Sequence, residues 1–345
     1  MSGRGRAMTV DGPIDVERLG TTLFHEHLHM DASALLAVHG YQVQAERPFD
    51  LEAAAEARWN PGSHPDNYRF TQDELVATEV ERFRLAGGGT IVDQTPPVLG
   101  RDPAALRAIA AAGGINVIMG TGHYLAPTHE AWIGDASDVE IAQLLSVAAR
   151  EGDVDTGIRP GIIGEIGTSI PVHPEEVRVL RAAASAALES GLAVSVHLHP
   201  WGRTGGDALD VLLGSQLPPD RIALGHLNTA WDDEPYLRGL ADRGVSLVFD
   251  LFGFDHSLIG IGRWAPSDLD VARTVARLFA QGHGAQVMIS HDIGVRTRLV
   301  EYGSWGYAHI PRHIVPLLLE LGLSDADITE LLVANPARLL TVDGL

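Results

Sequence analysis

Eight short runs of β-branched and apolar residues recur along the chain, each followed by a loop and then by a stretch of helical periodicity. The runs fall at 21–27, 89–95, 115–124, 160–169, 192–200, 222–228, 245–253 and 286–294. This alternation is the signature of a parallel α/β architecture, and eight strands are what a closed barrel requires. Helical segments at 103–112, 174–190, 269–281 and 312–321 are rich in Ala, Leu, Arg and Glu, with apolar residues every three to four positions, and supply an outer ring. After the first strand the chain runs through Trp59, Asn60 and Pro65 to a helix at 72–85, too far for an ordinary βα loop, and this is an insertion near the active face. No solenoid repeat, low-complexity tract or linker interrupts the pattern. The expected fold is an α/β TIM (β/α)8 barrel with an insertion after strand 1, forming one domain over residues 1–345.

Composition narrows the chemistry. All 25 basic side chains are arginine, so the chain has no lysine for a Schiff base, a pyridoxal-phosphate linkage, a P-loop or a lysine carbamate. It has no cysteine, which removes thiolate zinc sites and disulfides and leaves His and carboxylates to bind any metal. A net charge of −20 disfavours nucleic acid and anionic membrane surfaces as partners. No long apolar run follows the opening MSGRGRAMTV, so neither a signal peptide nor a membrane span is expected, and a cytoplasmic location is the default.

In a parallel barrel, catalysis is built at the C-terminal ends of the strands. Those ends carry His25 and His27, then Glu165, His197, His226 and Asp292. In a strand, His-x-His sets both imidazoles on one face, where both can reach one metal. Any one buried histidine is more often a hydrogen-bonded core residue than a ligand. Four of them with two carboxylates on five strand ends are hard to explain as packing, because each is a buried polar cost, and metal ligation accounts for all six. His25-Glu26-His27-Leu28-His29 also fits H-E-x-x-H, the zinc-peptidase pattern, but that motif needs a helix, and Thr21-Thr22-Leu23-Phe24 read as a strand.

The strings LGTTLFHEHLHMD, GGGTIVDQTP, GIIGEIGTS, VHLHP, GHLN, SHDIG, YGSWGYAHI and NPARLL occur in that order between about Leu19 and Leu340. Together they resemble the ordered motifs of the phosphotriesterase family of the amidohydrolase superfamily, in its glutamate-bridged branch. The resemblance implies two divalent ions, commonly zinc. His25, His27 and Asp292 would hold the more buried ion and His197 and His226 the more exposed one, with Glu165 and a hydroxide bridging them. Many members carry a carboxylated lysine at strand four. Glu165 stands there instead, so the substrate range need not match that of lysine-bridged relatives.

By the same resemblance the hydroxide is the nucleophile and Asp292 collects the proton, passing it toward the leaving group, although a plain ligand role for Asp292 is the alternative. The expected reaction is hydrolysis of a carboxylic ester, lactone or amide in a small molecule, with weak phosphotriesterase activity alongside. Two rival readings are a metal-containing binding protein without turnover and a mononuclear deaminase or decarboxylase on the same barrel. Related proteins are often dimers, so a homodimer is expected. Loop residues placed to set specificity are Tyr124, His199, Trp201, Arg203, Phe252, Phe254, His256, Arg296 and Arg298, the arginines suiting an anionic substrate. The aromatic, glycine-rich stretch from Tyr302 to His309 and the pair Asn335-Pro336 are read as structural.

Overall fold

A computed structural model describes residues 5–38, 40–41, 47–254, 257–258 and 263–342. Its main sheet has eight parallel strands in sequential order. They are β1 Thr21–Glu26, β2 Gly88–Asp93, β3 Asn116–Thr121, β4 Ile162–Gly167, β5 Val194–His197, β6 Ile222–Leu224, β7 Ser246–Phe249 and β8 Val287–Ile289. Each strand lies within, or one residue outside, one of the eight apolar runs. The seam between β8 and β1 is closed without a regular ladder: the His25 N–H donates to Ser290 Oγ (3.0 Å) and the Asp292 N–H to the His25 carbonyl (3.0 Å). The sheet is thus a TIM-type barrel.

A principal helix follows each strand: α1 Asp73–Leu85, α2 Pro103–Gly113, α3 Asp138–Glu151, α4 Pro174–Ser190, α5 Gly205–Gly214, α6 Glu234–Ala241, α7 Asp268–Ala280 and α8 Val315–Glu320. Sequence signals fix several ends. Pro103 opens α2, where its missing N–H costs nothing, and Asp102 accepts the Ala104 and Ala105 N–H groups. Gly114 closes it at φ 66°, a left-handed conformation that favours glycine. The 312–321 segment differs from expectation, beginning as a π-helical turn over Ile310–Ile314 before α8.

The inner side chains alternate with the outer ones, as period two requires. Phe24, Val92, Ile118, Ile162, Ala223, Val248 and Met288 form a cluster separate from the large strand-helix core. Ala7 of an N-terminal hairpin (Arg6–Thr9 with Gly12–Asp15) and Leu339 and Leu340 of the helix Asn335–Leu340 join that cluster and plug the lower end. In β1 the alternation breaks at a register irregularity between Leu23 and Glu26, so Phe24 and His25 both serve the interior. The insertion after β1 is present. Met30–Asp31 pairs with Arg69–Phe70, and the helix Leu51–Trp59 lies between them in sequence. Among the described residues no helix is long and apolar enough to cross a membrane.

Candidate metal centre

Six side chains converge above the inner cluster. Three imidazoles turn Nε2 toward Glu165: His25 Nε2 lies 3.4 Å from Oε2, His27 Nε2 3.8 Å from Oε1 and His226 Nε2 3.8 Å from Oε2. His197 turns its other nitrogen, with Nδ1 2.9 Å from Glu165 Oε2. Asp292 Oδ1 is 3.0 Å from His27 Nε2 and 3.8 Å from His25 Nε2. The strand-end reading therefore brings together all six residues it named.

The donor set fits a cation. His25 Nε2 is buried and makes no hydrogen bond although it faces the Glu165 carboxylate, a costly state for a polar atom that a cation would relieve. His226 Nε2 and His197 Nδ1 face each other at 2.7 Å. His25, His27 and Glu165 form one group able to hold an ion and Glu165, His197 and His226 another, with donor atoms in each within 4.8 Å of one another. Burial alone would lower the pKa of His25, but the charges of Glu165 and Asp250 outweigh it and raise it well above the ordinary value. His226, also buried, is pushed up to about 10, chiefly by Asp250. Glu165 is held well below the usual carboxylate range because His197 and His25 overcome its burial.

Asp250, one residue past β7, escaped the sequence reading. Its Oδ1 accepts from the His226 N–H (2.8 Å) and lies 3.0 Å from His226 Nδ1, while Oδ2 lies 3.0 Å from His25 Nδ1. By engaging both Nδ1 atoms it leaves both Nε2 lone pairs aimed at the centre, as an outer carboxylate does for a metal-bound histidine. His27 Nδ1 is similarly engaged, by Thr95 Oγ1 at 2.9 Å.

Glu26 was noticed only as part of a peptidase-like string, and its position gives it another use. Fully buried, its Oε1 accepts from Ser290 Oγ (2.7 Å), the His291 N–H (2.8 Å) and His291 Nδ1 (2.7 Å), and its Oε2 accepts from the Ile293 N–H (3.1 Å). The Ile310 N–H donates to His291 Nε2, which places the imidazole proton on Nδ1. Glu26 thus grips the backbone on either side of Asp292, which sits at φ 51°, a left-handed value uncommon outside glycine. From the opposite side Arg298 donates to the carbonyls of His291, Asp292 (2.8 Å) and Phe252. His226, at φ 58°, is the other residue of the six in this conformation. These two turns explain why β6 and β8 stop short of the apolar runs that contain them.

A cavity of about 240 Å³ opens onto the centre, with His27, Glu165, His197 and Asp292 at its base. Met30, Leu35 and Tyr68 of the insertion wall one side. Of the expected specificity residues, Tyr124, His199, Trp201 and Phe254 line it. The Tyr124 hydroxyl is 3.5 Å from His197 Nε2, and burial, reinforced by Glu165 and Asp292, pushes its pKa well above the ordinary value, so it stays protonated. Arg203, Phe252, Arg296 and Arg298 do not line the cavity. Arg203 pairs with Asp233 (3.0 Å) and donates to the Thr229 carbonyl (3.2 Å), Arg296 donates to the Arg69 carbonyl, and Phe252 is core. Arg298 lies behind the wall with its guanidinium 5.1 Å from the Phe254 ring centre. His256 lies outside the described residues. From the aromatic stretch, Tyr307 is fully buried and donates to the His27 carbonyl at 2.6 Å. Asn335 donates to the Gly284 and Val287 carbonyls, a structural tie as expected.

Comparison with known proteins gives the same assignment. The family profile described as "Phosphotriesterase family" matches residues 5–340. The N-acetyltaurine hydrolase of Salmo salar is 33% identical over 344 residues, 98% of this chain and 98% of that protein. The N-acetyltaurine hydrolase of Homo sapiens is 30% identical with the same coverage. Among solved structures, a resiniferatoxin-binding protein from Rhodobacter sphaeroides shares 37% identity at a TM-score of 0.92, over 97% of this chain and 95% of that one. A phosphotriesterase homology protein from Escherichia coli, complexed with phosphate in its active site, shares 25% identity at 0.79, over 94% and 99%. With the barrel, the His and carboxylate cluster and a match over nearly its whole length, the chain belongs to the phosphotriesterase family and is a hydrolase.

Proposed function

We propose that this hydrolase cleaves the amide bond of a small N-acyl compound, using two divalent ions, zinc in the first instance, held by His25, His27, Glu165, His197, His226 and Asp292. His25, His27 and Asp292 serve one ion, His197 and His226 the other, and Glu165 both. The carrying observation is the two-sided position of Glu165, with Oε1 toward His27 and Oε2 2.9 Å from His197. Amide rather than ester or lactone chemistry is favoured by relatives named N-acetyltaurine hydrolase that match 98% of the chain. Ions bound there supply Lewis acidity, lowering the pKa of a water and polarising the carbonyl under attack.

The chain's own groups do the rest. Asp292 has a side chain 21% exposed, against 1–5% for His25, His27, Glu165 and His226, so its carboxylate is held by His27 yet open to the cavity. It takes the proton from the attacking water and delivers it to the departing amine. Tyr124, kept protonated on the cavity wall, donates its O–H to the substrate carbonyl as charge builds on oxygen.

The test is metal content per chain, by elemental analysis, on the wild type and Glu165→Ala, with amine release from an N-acetyl amide followed in parallel. Two ions in the wild type, lost together with activity in the variant, are expected. A wild type that is fully active with no bound metal, or a variant that keeps both ions, refutes the bridged centre.

A further inference from the structure

We infer that the cavity selects an uncharged, largely apolar group on its N-acyl substrate and discriminates against a sulfonate or carboxylate in the same place. The inference rests on the amidase reading and adds the substrate class. It separates this chain from the relatives named for N-acetyltaurine, whose amine part ends in a sulfonate.

The walls carry the argument. Above the polar base, Leu35, Leu99, Leu125 and Val295 join the aromatic rings of Trp201 and Phe254, and the polar exceptions are His199, whose Nδ1 accepts the Trp201 N–H (3.3 Å), and the hydroxyls of Tyr41 and Tyr68. An anion pressed against the apolar part of such a wall loses water and gains no guanidinium partner, which is unfavourable unless a cation or several N–H donors replace the water. Arg69 of the insertion and the arginines expected to recognise an anion are already engaged. Arg69 pairs with Asp31 (3.2 Å) and Asp66 (2.9 Å), and Arg203 with Asp233 (3.0 Å). Arg296 and Arg298 spend their guanidinium groups on backbone carbonyls. No arginine is among the described residues lining the cavity. The net charge of −20 adds a long-range field that does not attract anions.

Apolar walls also set a positive expectation. Each methylene buried from water contributes enough to raise kcat/KM about fourfold until the space is filled. A group that fits is anchored by contact with Leu99, Leu125 and Phe254, which fixes the carbonyl over Asp292 and Tyr124.

The experiment uses the metal-loaded protein and two matched pairs: N-acetyltaurine against N-acetylbutylamine, and 2-acetoxyethanesulfonate against butyl acetate. The neutral member of each cleaved pair is expected to exceed the anionic one by roughly 100-fold in kcat/KM, chiefly through KM, since the penalty is one of transfer into an apolar site. Equal or faster cleavage of the anionic member in either pair overturns the inference. If only the esters are cleaved and the neutral ester leads, the apolar selection stands and the amide reading falls. If the amides are cleaved and N-acetyltaurine leads, the amide reading stands and the selection falls. Leu125→Asp supplies a second arm: it should lower kcat/KM for the neutral substrate at unchanged metal content, and an unchanged value also overturns the inference.

Discussion

Replacing Glu26 by Gln keeps the shape of the side chain and removes the charge from the clasp around Asp292. The carboxylate accepts four hydrogen bonds, three at Oε1 and one, from the Ile293 N–H, at Oε2. A carboxamide can keep its oxygen toward the first three, which then places an NH₂ against the Ile293 N–H. Two buried donors then face each other, the loss of the Ile293 bond alone costing about 1–3 kcal/mol, and the remaining bonds weaken from charge-assisted to neutral. A total near 3 kcal/mol is a large part of a typical net stability and corresponds to a fall in Tm of roughly 4 °C for a chain of this size. The functional effect is separable. Asp292 sits in a left-handed turn whose neighbours are the groups Glu26 holds, so a loosened clasp lets its carboxylate drift, and a displacement near 1 Å costs about 100-fold in rate. Calorimetric unfolding, metal content and steady-state kinetics on E26Q would give Tm, occupancy, kcat and KM. The expected pattern is a lower Tm, with kcat reduced far more than KM is changed. A variant that loses stability but keeps wild-type kcat per bound ion would make Glu26 a fold residue only and refute the positioning argument.

Two further substitutions probe different layers. Asp250→Asn should weaken metal binding by about 10- to 100-fold, because its carboxylate orients His25 and His226 from the Nδ1 side, while kcat at saturating metal stays within tenfold; a titration with zinc monitored by activity and by bound metal checks both values. Glu79 gives a pH signature from a carboxylate outside the six-residue cluster. Burial raises its pKa despite the Val300 and Glu301 N–H groups and Arg82, so the folded state holds the proton more tightly than the unfolded chain. Its contribution to stability is then full below the unfolded glutamate pKa and is lost as pH rises through the raised folded value. Between pH 4 and pH 7 the Tm of Glu79→Gln should gain on that of the wild type, and parallel curves would show that the group carries no such linkage.

How far this site could be read in the chain depends on what a strand imposes. A strand end fixes where a side chain begins and which face it takes, so His27, His197 and Asp292 could be placed once the eight runs were counted. The barrel interior then leaves such residues one direction in which to point. His25 and Glu165, which the strand ends also named, sit beside local irregularities, at β1 between Leu23 and Glu26 and at β4 between Ile163 and Ile166, that no alternation rule foretells. Asp250 was hidden for the opposite reason. A single aspartate after Phe249 is ordinary in sequence, and its value comes from lying 3.0 Å from two imidazoles that arrive from β1 and β6. The arginines mark the limit most clearly. Their residue type suggested an anionic ligand, yet a long side chain on a loop can turn either way, and a loop must satisfy its own carbonyls first. Arg298 does so for His291, Asp292 and Phe252 at once, which makes it part of the frame that aims Asp292. The charge that the chain offered for recognition is therefore used for geometry, and recognition falls to the apolar side chains of the insertion and loops, whose contribution only the folded cavity makes visible.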